Sequence, residues 1–274
     1  MQNNLKISFI GGGNMAAALI GGLAGKLTAA QNIHVIDISA DALAKLHAQF
    51  GVTTSIEIDA RIAGSDVIVL AVKPQQMKGV ATQILPHIGT QLVLSIAAGI
   101  RAADLSRWLN GYQAIVRTMP NTPALIGKGI TGMVATAGVS DVQRAAADAI
   151  LRAVGETVWL DDEKLIDPVT AVSGSGPAYV FYFIEAMQQA AQEMGLTAEQ
   201  GNALAVSTFV GAAQLAAQAS DPVSVLRERV TSKGGTTYAA LTSMEESGVK
   251  QAIINAMKAA AARGQALGEE FGRD

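Results

Sequence analysis

Phe9-Ile10-Gly11-Gly12-Gly13-Asn14-Met15-Ala16 is the stretch on which the fold turns. The apolar run Leu5 to Ile10 reads as a strand and Asn14 to about Lys26 as a helix, so three glycines stand where one passes into the other. The spacing fits G-x-G-x-x-A. Gly11 permits a tight turn, Gly13 lets the backbone approach a pyrophosphate, and Ala16 lets the helix lie close to the strand. The helix start also offers N–H groups at the positive end of its dipole, which suits an anion. Gly11, Gly12, Gly13, Asn14, Met15 and Ala16 are therefore the first candidates for holding a dinucleotide.

Outward from that turn, strand and helix alternate. Ile33 to Ile36 is a strand ending at Asp37, and Ala40 to Phe50 a helix. Asp66 to Val72 and Gln91 to Ile96 are near-continuous apolar runs, as strands buried on both faces should be. Ala114 to Arg117 is another strand, closed by Met119-Pro120-Asn121-Thr122-Pro123. Such βα units predict a doubly wound, mostly parallel sheet over residues 1–160, with ligands at the carboxyl edge of the strands. Asp37, twenty-six residues after Gly11, would there bond the adenosine ribose and repel a 2′-phosphate, or else cap the next helix. Ser39 offers a hydroxyl to a phosphate, so NADPH and NADH both stay open. Ala71-Val72-Lys73 lies at the same edge, where Lys73 reaches the cofactor or stays solvated. Ala97 makes room for a nicotinamide, and Asn121 either bonds its carboxamide or caps a turn.

After Trp159 the period becomes helical. Asp161-Asp162-Glu163 reads as a charged junction, and residues 161–274 as an all-α domain. Helices are expected over Ala178 to Met194, from Thr197, from Asp221-Pro222, over Thr237 to Glu246, and from Val249 to about Leu267. The uncharged stretch Gln200 to Ser220 contains Gln200, Asn202, Ser207, Thr208, Gln214 and Gln218, too polar for a membrane span, and reads as a buried helix. Two helices are apolar nearly all round, which a monomeric bundle of this length does not cover; an obligate dimer is the expectation.

Composition limits the rest. Half of the 274 residues are hydrophobic and the net charge is −3, with scattered Lys and Arg, which argues against nucleic acid as a partner. There is no cysteine, and His34, His47 and His87 have no metal-ligand spacing, so neither disulfides nor a metal site are expected. Met1-Gln2-Asn3-Asn4 running straight into a strand gives no sign of a targeting segment, and the chain is expected to be cytoplasmic, away from membranes.

Two later strings suggest the chemistry. Ser173-Gly174-Ser175-Gly176-Pro177-Ala178-Tyr179 puts hydroxyls and N–H groups at a helix start, and Thr231-Ser232-Lys233-Gly234-Gly235-Thr236-Thr237 is a second glycine turn into a helix. If the first turn holds a pyrophosphate, the second is free for a small carboxylate. Together with Ala71-Val72-Lys73-Pro74, Ser95-Ile96-Ala97-Ala98-Gly99 and Met119-Pro120-Asn121-Thr122-Pro123-Ala124, in this order, the chain resembles the pyrroline-5-carboxylate reductases.

The resemblance implies a Rossmann domain followed by an all-helical dimerisation domain, with dimers often assembled into decamers. It also implies reduction of 1-pyrroline-5-carboxylate to L-proline, usually with NADPH. Carried over, Ser232, Gly234, Gly235, Thr236 and Thr237 receive the substrate carboxylate, Thr237 lies near the ring nitrogen, and Ser173, Gly174 and Ser175 border the pocket. Two positions depart from the family: Lys233 stands where proline is usual, and Asp37 disfavours NADPH. Rival readings are a 3-hydroxyacid dehydrogenase and a non-catalytic NAD(P)H sensor. The first needs a lysine with an asparagine one helical turn on, which Lys164, Lys233, Lys250 and Lys258 lack. The second has no use for the late glycine turn.

Overall fold

The computed structural model describes residues 4–273. The reading of Met1 to Asn3 as a lead-in lies outside them. Eight strands form one sheet in the order β3-β2-β1-β4-β5-β6-β7-β8. They are β1 Ile7–Ile10, β2 Ile33–Ile36, β3 Thr53–Ser55, β4 Val67–Leu70, β5 Leu92–Ser95, β6 Ile115–Met119, β7 Gly129–Ala135 and β8 Gly155–Trp159. Every neighbouring pair is parallel except β6 and β7. Ile10 lies opposite Ile36 on one side and Leu70 on the other, so β1 is central.

Alternate residues of each strand feed two cores. Phe9, Val35, Val69, Leu94 and Val116 pack beneath α1 (Asn14–Leu23), α2 (Ala40–Phe50) and, further along the chain, α5 (Asp141–Arg152). Ile10, Ile68, Leu70, Val93 and Ile115 pack beneath α3 (Met77–Ile84) and α4 (Ala102–Trp108). Both faces are covered, which explains why the strand sequences are continuously apolar. At about 1.5–3 kcal/mol for each fully buried large aliphatic or aromatic side chain, these two layers are what holds the sheet.

Beyond β8 the chain enters α6 (Ile166–Val169) and a π-helical turn, Thr170–Gly174, closed by the Ser175 N–H on the Thr170 carbonyl at 2.8 Å. Then follow α7 Gly176–Glu193, α8 Ala198–Gln218, α9 Val223–Arg229, α10 Thr236–Glu246 and α11 Val249–Phe271. The fold is the expected one, a mostly parallel α/β sheet followed by helices. Its compact units are 1–175 with 259–274, and 176–258. The division read at 160/161 therefore falls inside the first unit.

The reason lies in packing rather than period. Val169 meets Gly132 of β7, Asn121 donates to the Ser173 carbonyl at 3.1 Å, and Leu267 and Phe271 at the end of α11 lie against Gly99. In the second unit α7 and α8 form an antiparallel pair. The Phe183 and Phe209 rings are 6.4 Å apart, and Gln188 donates to Asn202 at 2.8 Å. Thr197 and Gln200 make a capping box at the α8 start. The stretch read as a buried helix is α8, but within this chain it buries only Gly201 and Ala205 and exposes Leu204, Val210 and Leu215. Among the described residues no helix is long and apolar enough to cross a membrane.

Candidate functional site

The strand order reverses between β1 and β4, and an open parallel sheet takes its ligand in the crevice beyond the carboxyl ends of those two strands. The Gly11–Gly13 turn follows β1 there, and Ala71 to Lys73 follow β4. Gly11 has φ +104°, and a Cβ on it would lie 2.5 Å from the Ala71 carbonyl oxygen. No other residue fits. Gly11 donates to the Ile36 carbonyl at 2.7 Å, tying the turn to β2. A Cβ on Gly13 would meet nothing within 4 Å, so the space over the α1 start is open to a group the size of a phosphate. Ala16 is buried against the sheet, as its spacing requires. These features fit a dinucleotide pyrophosphate.

The adjoining positions are held firmly. Asp37 accepts the Gly12 N–H on Oδ2 at 2.7 Å and the Ser39 N–H on Oδ1 at 2.8 Å. The helix cap that Asp37 was weighed for belongs to Ser39, whose Oγ accepts the Ala42 N–H. Lys73 is exposed and precedes Pro74 in a short 3₁₀ turn. Ala97 is buried beyond β5, beneath the Ser95 to Gly99 turn. Asn121, almost fully buried, donates to the Ser173 carbonyl and accepts the Ile130 N–H at 2.9 Å, leaving one amide hydrogen over. It therefore links the β6 end to the segment of Ser173, Gly174 and Ser175. The Ser173 hydroxyl is turned back onto the Val169 carbonyl at 3.0 Å, while that of Ser175 makes no bond to a described residue.

In the second unit, α10 begins without a side-chain cap, as α1 does at Gly13. Helices α2, α5 and α8 cap themselves with Ser39, Ser140 and Thr197. The N-cap of α10 is Gly235, which has no side chain to offer. Gly234 has φ +73°, and Gly235 closes a turn onto the Ser232 carbonyl at 3.0 Å. Ser232, Lys233 and Thr236 are exposed and Thr237 half-buried, and the hydroxyls of Ser232, Thr236 and Thr237 make no bond to any described residue. A helix start with uncapped N–H groups and three uncommitted hydroxyls can receive a carboxylate. The exposed Lys233 adds positive charge to the same turn.

One cluster was not foreseen. Arg117, only 4% exposed within β6, pairs through Nη1 with Glu163 Oε1 at 2.7 Å and faces Asp167 Oδ1 from Nη2 at 3.9 Å. Glu163 also accepts the Ala102 N–H at the α4 start, at 2.7 Å. Burial raises the pKa of Asp167, against the opposing pull of Arg117. The signal was present in the sequence: an arginine inside an apolar strand needs a buried partner, and the junction carboxylate Glu163 is that partner. The crevice beside them, about 730 Å³, carries both signs on its walls (Arg101 and Lys164, Asp162 and Glu269) and favours neither anion nor cation. Among the described residues no cluster of His, Asp and Glu could hold a metal.

Comparison with known proteins adds the family. Residues 163–267 match the model described as pyrroline-5-carboxylate reductase dimerisation, and residues 6–99 that of NADP oxidoreductase, coenzyme F420-dependent. The pyrroline-5-carboxylate reductase of Pseudomonas aeruginosa is 44% identical over 98% of each chain. The structure of a pyrroline-5-carboxylate reductase from Coxiella burnetii, 39% identical, superposes with a TM-score of 0.90 over 97% of this chain and 99% of that one. The Plasmodium falciparum pyrroline carboxylate reductase, solved with NADP bound, is 30% identical with a TM-score of 0.87, over 98% of this chain and 100% of that one. A glycine turn at the sheet's switch point, a second uncapped glycine turn on a helical unit, and relatives alike from end to end agree: the chain belongs to the pyrroline-5-carboxylate reductase family.

Proposed function

We propose that this protein reduces 1-pyrroline-5-carboxylate to L-proline, the closing step of proline synthesis, with a reduced nicotinamide dinucleotide as hydride donor. The observation that carries the reading is the uncapped α10 start with its three uncommitted hydroxyls, in a chain whose other glycine turn already suits a pyrophosphate. In this reading Gly11 to Ala16 bind the pyrophosphate, while Asp37 and Ser39 meet the adenosine ribose. Ala71, Val72, Lys73, Ala97 and Asn121 line the way to the nicotinamide. Ser232, Gly234, Gly235, Thr236 and Thr237 take the carboxylate, and Ser173, Gly174 and Ser175 border the ring.

The chemistry asks little more of the protein. When bound, the reduced cofactor supplies the hydride to the imine carbon. The backbone N–H groups at the α10 start fix the carboxylate and so orient the ring, since transfer requires reacting atoms about 3–3.5 Å apart. Thr237 orients the ring nitrogen by a hydrogen bond rather than acting as an acid, because an alcohol holds its proton too tightly. The nitrogen arrives protonated or takes its proton from water. NADPH is the family's usual donor, and NADH the one that the carboxylate at the end of β2 favours. Partners are the small substrate and further copies of the chain, a dimer at least and a decamer by the family's habit; nucleic acid and membranes have no part. The setting is cytoplasmic.

The test is direct. Purified protein with pyrroline-5-carboxylate should oxidise NADPH or NADH and yield L-proline mole for mole. Oxidation with a 3-hydroxyacid pair instead, or binding without turnover, would transfer the protein to one of the rival readings.

A further inference from the structure

Asp37 follows β2 beside the glycine turn, where the adenosine ribose of a dinucleotide is expected. Asp37 is held at the mouth of the cofactor crevice by two backbone N–H groups, Gly12 and Ser39. Those bonds use two of the four lone-pair sites of a carboxylate and leave acceptors for a ribose diol. They also fix the charge in place, so the side chain cannot swing aside for a 2′-phosphate without stranding both donors.

The surroundings give such a phosphate little beyond the Ser39 hydroxyl and the Ala40 and Asp41 N–H groups. An anion at the α2 start would seek its backbone donors. The Ser39 N–H is already taken by Asp37, and the Ala42 N–H by the Ser39 hydroxyl. Ile38, 85% exposed on the same turn, is apolar, and Asp41 adds a second carboxylate in the first turn of α2. No Lys or Arg stands between Asp37 and Ala44. The exposed Arg61, further along the chain, is already paired with Asp59 at 2.6 Å.

We propose that Asp37 makes this protein select NADH over NADPH. The proposal rests on the reductase reading above, but it concerns only the adenosine end of the cofactor. A unit of like charge near a protein surface changes an affinity by between about fivefold and a thousandfold, depending on solvent exposure.

The experiment titrates NADH and NADPH into the full-length protein without substrate, by nicotinamide fluorescence and calorimetry, and then compares kcat/KM for the two. Wild type should bind NADH at least about fivefold more tightly, with the same preference in kcat/KM. The pair of changes Asp37→Ser and Ile38→Arg should reverse the order. Since Asp37→Ser removes a tie to the glycine turn, Asp37→Asn serves as the second variant: it keeps shape and an acceptor, and should bring the ratio of the two dissociation constants close to one. Equal or tighter binding of NADPH by wild type overturns the proposal, as does an unchanged ratio in Asp37→Asn. Loss of turnover with both cofactors would instead defeat the reductase reading and leave the binding comparison standing.

Discussion

At the scale of single residues, Thr237 and Gly11 carry opposite kinds of weight. Thr237 is half-buried with an uncommitted hydroxyl at a helix start, and nothing in the fold depends on that hydroxyl. Thr237→Ala should therefore leave the melting temperature nearly unchanged while lowering kcat roughly ten- to a hundredfold, the value of one hydrogen bond to a charged group at about 1.5–3 kcal/mol. Thr237→Ser should keep much of the rate. Steady-state kinetics on the two variants checks this, and equal rates in wild type and the alanine variant would remove the role. Gly11 is the reverse case. An alanine there is strained by φ +104° and brings its Cβ to 2.5 Å from the Ala71 carbonyl oxygen, a backbone atom that cannot step aside. Gly11→Ala should cost at least about 1–3 kcal/mol of stability and abolish cofactor binding, both measurable by thermal unfolding with and without NADH.

At the scale of elements, the contact between β6 and the chain beyond β8 offers a pH test. The pKa of Asp167 is raised by burial, so the folded state holds this proton more tightly than the unfolded chain does. Its stabilising share is full below the unfolded pKa of about 3.9 and is lost as pH rises through the higher folded value. Asp167→Asn cannot ionise, and Glu163 remains as the closer partner of Arg117. Relative to wild type, the variant should gain stability on going from pH 4 to pH 7. Urea midpoints at the two pH values measure it, and a difference constant with pH would refute the account. The same contact marks where reading the sequence stopped. Runs such as Asp66 to Val72, and the glycine turn, showed themselves because burial on both faces and a left-handed φ each leave a local mark. Strands β7 and β8 went unnoticed, since Gly129 and Gly132 interrupt the first and the second is only half-buried. Arg117 and Glu163 meet across forty-six residues, and no local period records such a pairing. The tie from Asn121 to Ser173 and the return of α11 to the first unit are likewise long-range, and the compact units accordingly divide after Ser175 rather than at 160/161.

At the scale of the whole molecule, the second unit is incomplete as a monomer. Phe181 and Tyr182 of α7 are 65% and 72% exposed, and Leu204 of α8 is 58% exposed. Across 176–258 the buried residues reduce to Ala191, Gly201 and Ala205. Helices so apolar on their open faces suit a partner, and residues 163–267 match a family model described as dimerisation, so a second copy is the expected occupant. Obligate interfaces of this kind bury about 2,000 Å² or more, and each large apolar side chain sealed in one is worth about 1.5–3 kcal/mol. Two consequences follow from mass action. Wild type should sediment as a dimer or a multiple of it at micromolar concentration, and its melting temperature should rise with protein concentration. Leu204→Glu, which sets a charge on the middle of the exposed face of α8, should weaken association at least about tenfold, while the first unit keeps its affinity for the dinucleotide. Sedimentation velocity over a dilution series, with cofactor titration on the same samples, separates the two effects. A wild type that stays monomeric and melts at one temperature throughout the series would mean that α7 and α8 do not associate with a second copy.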